Sequence, residues 1–172
     1  MGKRLIQQRR GRGTPRYRAL SHRGKGSVKY PSISIYKERE DGKIGGQILE
    51  FIHDPMRTAP IARVLLEDFS EIFIIAPEGL RKGQWIEIGN TAKPKEGNIL
   101  PLGKIPEGTY VYNIERRPGD GGKIVRASGT FAQVISHEPK LNLTYLLLPS
   151  KKTVAINSNS SCLLYTSPSP RD

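Results

Sequence analysis

Residues 113–135 read NIERRPGDGGKIVRASGTFAQVI, a stretch that sets four cations, Arg116, Arg117, Lys123 and Arg126, among Gly119, Gly121, Gly122 and Gly129. Arginine presents a planar fork that matches phosphate oxygens two at a time, and lysine adds a point charge. Glycine lets the main chain and its amide groups approach a bulky partner closely. Pro118-Gly119 predicts a type II turn and Asp120-Gly121 a type I′ turn, so the cations are expected on a structured turn that can grip phosphate. An ordinary solvated hairpin loop would have a similar composition. Two runs of strand character, residues 109–114 and 131–135, flank the stretch and must hold it.

The charge of the whole chain favours the phosphate reading. The 172 residues carry a net charge of +12, and residues 1–30 hold Lys3, Arg4, Arg9, Arg10, Arg12, Arg16, Arg18, Arg23, Lys25 and Lys29 without one Asp or Glu. The remaining chain, with 18 cations against 16 anions, is nearly neutral. Gly11, Gly13, Pro15, Gly24 and Gly26 break any helix in this segment, which argues against an amphipathic membrane anchor. Residues 1–32 are therefore expected to form a basic arm that stays disordered until it meets a polyanion, and nucleic acid fits best. Tyr17, His22 and Tyr30 are candidates for stacking on bases or ribose.

The rest reads as short strands separated by turns. Runs at residues 44–52, 61–67 and 71–76 suggest a small antiparallel meander, and a module boundary is expected near Leu80. Runs at 84–88, 109–114, 131–135, 143–148 and 153–156 form a second module, with a Pro- and Gly-rich loop at 93–107. Such spacing predicts barrels or sandwiches, and helix signals are almost absent. Residues 161–172, SCLLYTSPSPRD, carry no turn that would pair them with the rest and are expected to be disordered or foreign. With one cysteine, a disulfide framework is excluded, and no apolar run is long enough for a membrane helix, so a soluble intracellular protein is expected.

Enzymatic and metal chemistry find little support. GDGGK at 119–123 lacks the first glycine and the hydroxyl of a phosphate-binding loop, and Ile124 stands where a dinucleotide fingerprint needs glycine. His22, His53 and His137 are too scattered for a metal site. His53-Asp54 and His137-Glu138 pair an acid with a base, but no nucleophile accompanies them. No catalytic residue, metal, cofactor or small-molecule substrate is expected.

Three segments, HDPMRTAPIARV (53–64), NILPLGKIPEGTYVYNIERRPGDGGKIVRASGTFAQVISHE (98–138) and LLLPSKKTVAI (146–156), together with the arm, closely resemble the universal large-subunit ribosomal protein two family in its archaeal type. The resemblance covers about residues 1–160. It implies an all-β chain, with a basic RNA-binding arm (1–32), an OB-like barrel (33–80) and an SH3-like barrel (81–160), and it leaves the tail (161–172) outside the family pattern. It further implies a cytoplasmic ribosomal constituent that binds large-subunit ribosomal RNA and other ribosomal proteins, supporting subunit association, tRNA binding and peptide-bond formation. The family's RNA contacts carry over to the arm cations and to Arg116, Arg117, Lys123 and Arg126. Where the family continues into a glycine-rich basic extension with a histidine near the peptidyl-transferase region, this chain has SCLLYTSPSPRD. Any contribution there is expected to be lost, and the second barrel to fray at 153–156. The alternatives are an SH3-like module binding Pro-rich peptides beside a polycationic tail, or a nucleotide-dependent enzyme using Lys123.

Overall fold

The structure, a computed structural model, describes residues 2, 5, 7, 10, 12–19, 21–37 and 39–165, leaving the Lys37 side chain aside. Ten strands make one continuous sheet: β1 (Lys43–Ile52), β2 (Ile61–Leu66), β3 (Glu71–Ile75), β4 (Trp85–Gly89), β5 (Ile99–Pro101), β6 (Tyr110–Tyr112), β7 (Ala132–Glu138), β8 (Leu143–Leu147), β9 (Thr153–Asn157) and β10 (Ser161–Leu164). Their order across the sheet is β3-β2-β1-β4-β5-β10-β6-β7-β8-β9, antiparallel throughout except where β4 meets β5 through Ile88 and Ile99. One short helix, α1 (Ile33–Lys37), places Tyr36 in the first core.

The strands form where apolar residues alternate and glycine or proline punctuates. In β2, Ala62, Val64 and Leu66 are buried while Arg63 faces outward, the period-2 pattern of a half-buried strand. In β1, Ile44 and Ile48 enter the core, but a bulge between Ile48 and Glu50 reverses the alternation and leaves Phe51 exposed. Two cores result. The first gathers Ile44, Ile48, Val64, Ile74 and Ile86; the second gathers Leu100, Val111, Ile114, Val134 and Leu146. Each such side chain contributes about 1.5–3 kcal/mol when fully buried.

Several expectations change here. β4 pairs with β1 over Lys43–Gln47, so Trp85–Gly89 completes the first unit and the boundary near Leu80 moves past Gly89. β5, three residues long, rises inside the loop expected at 93–107. β9 pairs with β8 from Leu143↔Asn157 to Leu147↔Thr153, so residues 153–156 are not frayed.

The largest change concerns residues 161–164. Where disorder was one expectation, Ser161–Leu164 form β10, buried at every position and paired with β5 on one side and β6 on the other. Leu163 enters the first core, while Cys162 and Leu164 enter the second. A strand with a core on each face needs apolar residues on both, which Cys-Leu-Leu supplies. The turn that delivers it is polar: Asn159 N–H donates to Asn157 Oδ1 (2.9 Å) and Ser160 N–H to the Asn157 carbonyl (3.0 Å). Asparagine here does what glycine or proline does elsewhere. Residues 166–172 lie outside the described residues.

Candidate nucleic-acid interface

The cationic turn is built on a buried acid. Glu115, 1% exposed, accepts backbone N–H bonds from Gly119 (3.2 Å), Gly121 (2.7 Å) and Ser161 (2.9 Å). One carboxylate thus closes the turn and anchors it to the start of β10. Below it, Ile114 and Ile124 exchange backbone bonds of 2.9 and 3.0 Å, and Asn113 N–H reaches the Val125 carbonyl at 2.7 Å. The expected type II turn forms: Asp120 N–H donates to the Arg117 carbonyl (3.1 Å) with Gly119 at φ 83°. The type I′ turn does not, because it needs positive φ at both central residues and only Gly121 has it. Gly122, at φ 80°, lies where a Cβ would strike the Asn113 side chain.

On this frame Arg116 and Arg117 are exposed, make no ion pair among the described residues, and line a concavity of about 430 Å³ with Pro118, Gly119 and Asp120. Lys123 is exposed beside Asp120, 3.8 Å away. Arg126 leaves the hairpin and joins a residue that the sequence reading did not single out. Arg57 and Arg126 line one cleft of about 450 Å³ with Met56, Thr58 and Ala127. Ser128 N–H donates to Thr58 Oγ1 (3.1 Å), tying the two loops together across 70 positions of sequence. Arg57 is aimed by the fully buried Asp54, which accepts from the Arg57 guanidinium and also from Met56 N–H (3.0 Å). Burial, and then the Arg126 charge, hold Arg57 below its ordinary pKa. Two guanidiniums close enough to repel make a pair that an anion relieves. Arg57 lay in the quoted segment 53–64, but the only signal for it was a cation just after the Asp-Pro turn.

The arm's cations divide. Arg10, Arg12, Arg16, Arg18, Arg23, Lys25 and Lys29 are exposed, with the Arg10 guanidinium 5.8 Å from the Tyr17 ring, whereas Lys3, Arg4 and Arg9 lie outside the described residues. The arm's end is built into the protein, against the expectation that residues 1–32 order only on a partner. Val28 joins the first core and bridges to Phe73, and Lys29 N–H donates to the Phe73 carbonyl at 3.3 Å. Tyr30 donates to the Asn113 carbonyl at 2.5 Å, and burial pushes its hydroxyl well above the usual pKa. Lys29 packs against Gly121, so an arm cation sits on the hairpin turn. On the first barrel, by contrast, cations are spent on acids: Lys43 meets Glu87 at 2.6 Å, Arg63 meets Glu50 at 3.2 Å, and Arg39 pairs with Glu67. Among the described residues no group of three or more His, Cys, Asp or Glu is gathered as a metal would need.

Two family models match this chain. Residues 2–88 fit "Ribosomal Proteins L2, RNA binding N-terminal domain", and residues 95–165 fit "Ribosomal Proteins L2, C-terminal domain". The chain belongs to the ribosomal protein L2 family. Its two domains are therefore an OB fold and an SH3-like fold, and the division between residues 88 and 95 agrees with β4 pairing into the first unit. The large ribosomal subunit protein uL2 of Methanothermobacter thermautotrophicus is 51% identical over 157 residues, covering 91% of this chain and 64% of that protein. The uL2 of Methanococcus maripaludis strain C6 is 52% identical over 158 residues with the same coverage. That of Methanococcus vannielii is 51% identical over 158 residues, covering 91% of this chain and 65% of its own length. The chain thus spans about two-thirds of the length of these L2 relatives. Of the cleft, Arg57 comes from the L2 N-terminal domain and Arg126 from the C-terminal domain.

Proposed function

We propose that this chain is a structural, RNA-binding constituent of the large ribosomal subunit, seated in the cytoplasm on large-subunit ribosomal RNA among other ribosomal proteins. The observation that carries the reading is the cleft in which Arg57 and Arg126, one from each domain, face a common space. A cleft of that kind requires both barrels in their native relation, so it binds phosphate only as part of a folded frame. Arg116, Arg117, Lys123 and Lys29 extend the cationic surface along the hairpin, and the arm cations Lys3, Arg4, Arg9, Arg10, Arg12, Arg16, Arg18, Arg23 and Lys25 add length. Phosphate contacts position the protein without reading sequence, so discrimination comes from the shape that the rigid part fits. Support for subunit association, tRNA binding and peptide-bond formation would then follow from holding RNA in place, with the chemistry left to RNA.

The test is binding of the intact chain to a large-subunit ribosomal RNA fragment and to an unrelated RNA of equal length across a salt series. The reading expects preference for the ribosomal fragment. Arg57→Ala and Arg126→Ala should each cost about tenfold in affinity and lower the salt slope by about 0.7–0.9, the release of roughly one counterion. Equal binding of both RNAs, with neither substitution altering the slope, would refute it.

A further inference from the structure

Tyr110 and Phe131 form an aromatic pair on the outer face of the second barrel, with ring centroids 4.6 Å apart, planes tilted by 54°, and each residue 42% exposed. Large apolar rings left open together on a folded surface mark a contact site. Tyr110 opens β6 and is held by pairing to Gln133, while Val111 pairs with Ala132 next to Phe131. Gln133 Nε2 donates to the Gly108 carbonyl (3.3 Å), closing the turn that leads into Tyr110. Tyr110 therefore rests on a strand, and Phe131 is the residue immediately before one.

Its position relative to the cationic cleft sets its chemistry. Phe131 follows Arg126 by five residues, a span of at most roughly 17 Å if fully extended. The link is folded shorter: Thr130 Oγ1 donates to the Ala127 carbonyl (2.6 Å), its N–H does the same (3.3 Å), and Ser128 is fastened to Thr58. One rigid turn thus carries a phosphate-binding guanidinium at one end and an open aromatic face at the other. Paired bases hide their faces, whereas unpaired ones can stack on aromatic side chains.

We propose that Tyr110 and Phe131 are a stacking platform for an unpaired nucleobase of the RNA strand whose phosphate lies at Arg57 and Arg126. This rests on the RNA-binding reading above and adds to it a way to tell looped RNA from duplex. A Pro-rich peptide is the other occupant that aromatic surfaces attract. The short, hydrogen-bonded link from Phe131 back to Arg126 in the cationic cleft favours the base.

The experiment uses the full chain and two RNAs of one composition, a hairpin whose apical loop carries 2-aminopurine and a perfect duplex carrying the same analogue, titrated across a salt series. The loop RNA should bind more tightly, with its fluorescence quenched. Phe131→Leu, which keeps an apolar side chain but removes the ring, should weaken loop binding about 5- to 100-fold, the range of one stacked base. It should also restore the fluorescence while leaving duplex affinity, the salt slope and the melting temperature unchanged; Tyr110→Leu should act in the same direction. Undiminished binding and quenching by Phe131→Leu would overturn the platform while leaving the RNA-binding reading intact. So would a labelled polyproline decapeptide that binds saturably to the wild type and not to Phe131→Leu. Failure of the wild type to bind either RNA in a salt-dependent way would overturn the RNA-binding reading and the platform with it.

Discussion

The arm and the 113–126 hairpin both carry cations, on backbones of opposite character. Residues 1–30 hold ten cations and no acid, and the described ones among those cations are exposed. The hairpin holds Arg116, Arg117 and Lys123 beside a buried glutamate that accepts three backbone N–H bonds, with Arg126 at its outgoing end. An acid-free run maximises counterion release and therefore affinity, but each contact costs the ordering of a flexible segment. An acid placed under the cations gives up some net charge and fixes where the rest point. Charge density and charge placement are separate quantities, and this chain divides them between two regions that meet where Lys29 packs on Gly121.

Deleting residues 1–25 breaks the comparison most severely. Nine cations go, and the salt slope for RNA should fall by up to about 6, with a loss of affinity of 10³-fold or more at low salt. The melting temperature should stay within a few degrees, because Val28 and Tyr30 remain. A large thermal loss would mean that the arm is structural beyond its docked end.

Glu115→Ala acts on the other side. Three backbone donors lose their acceptor in a buried place, a cost of about 3–5 kcal/mol that thermal unfolding should register as a fall of roughly 6–20 °C. Glu115→Gln, which keeps one carbonyl oxygen, should lose less. If Glu115→Ala melts like the wild type, the turn is not held from beneath.

Cys162 reports on the strand to which Glu115 ties the hairpin. It is fully buried, and burial followed by the Glu115 charge pushes its thiol strongly upward in pKa. Modification by a thiol reagent in native buffer should be at least about 100-fold slower than in denaturant, since it requires opening of the core. Rapid native modification would show that β10 does not stay paired.

The smallest effect is at the seam. Tyr30→Phe removes the bond to the Asn113 carbonyl and should cost about 1 kcal/mol with little change in salt slope. The same hydroxyl predicts a pH trend. Tyr30, Tyr112 and Cys162 all have raised pKa values through burial, so the folded state binds their protons more tightly than the unfolded state. The stability they contribute is complete at neutral pH and declines as pH climbs past the unfolded thiol and phenol values, about 8.5 and 10. Denaturant melts from pH 7 to 10.5 should show that decline, less steep in Tyr30→Phe.

Much of this was legible in the chain itself. Short runs bounded by turns marked β2, β3, β8 and β9 to within a residue or two, and in β2 and β8 burial falls on every second position. The type II turn was legible because Pro118 and Gly119 each satisfy one of its dihedral demands. What escaped depended on partners distant in sequence. Leu100 and Leu102 lie among glycines and prolines, and nothing local says that β5 will find β10. Ser161–Leu164 looked foreign by composition, yet their burial is decided by neighbours some 50 and 60 positions earlier. Arg57 was hidden for the same reason, since its meaning comes from Arg126. The seat of the turn, Glu115, reads in sequence as one more charge beside two arginines.

The place of β10 also has a consequence in time. Of the strands described it is the last to be synthesised, yet it lies between β5 and β6, near the middle of the sheet. The β7–β8–β9 meander can zip from its own turns while synthesis proceeds. β5 and β6 must wait for residue 164 to emerge, with Leu100 and Val111 lacking their covering strand until then. Closure of the second barrel, and with it the third bond to Glu115, therefore follows the synthesis of every other strand described. A nascent chain halted before residue 161 would display its cations on a turn not yet fastened.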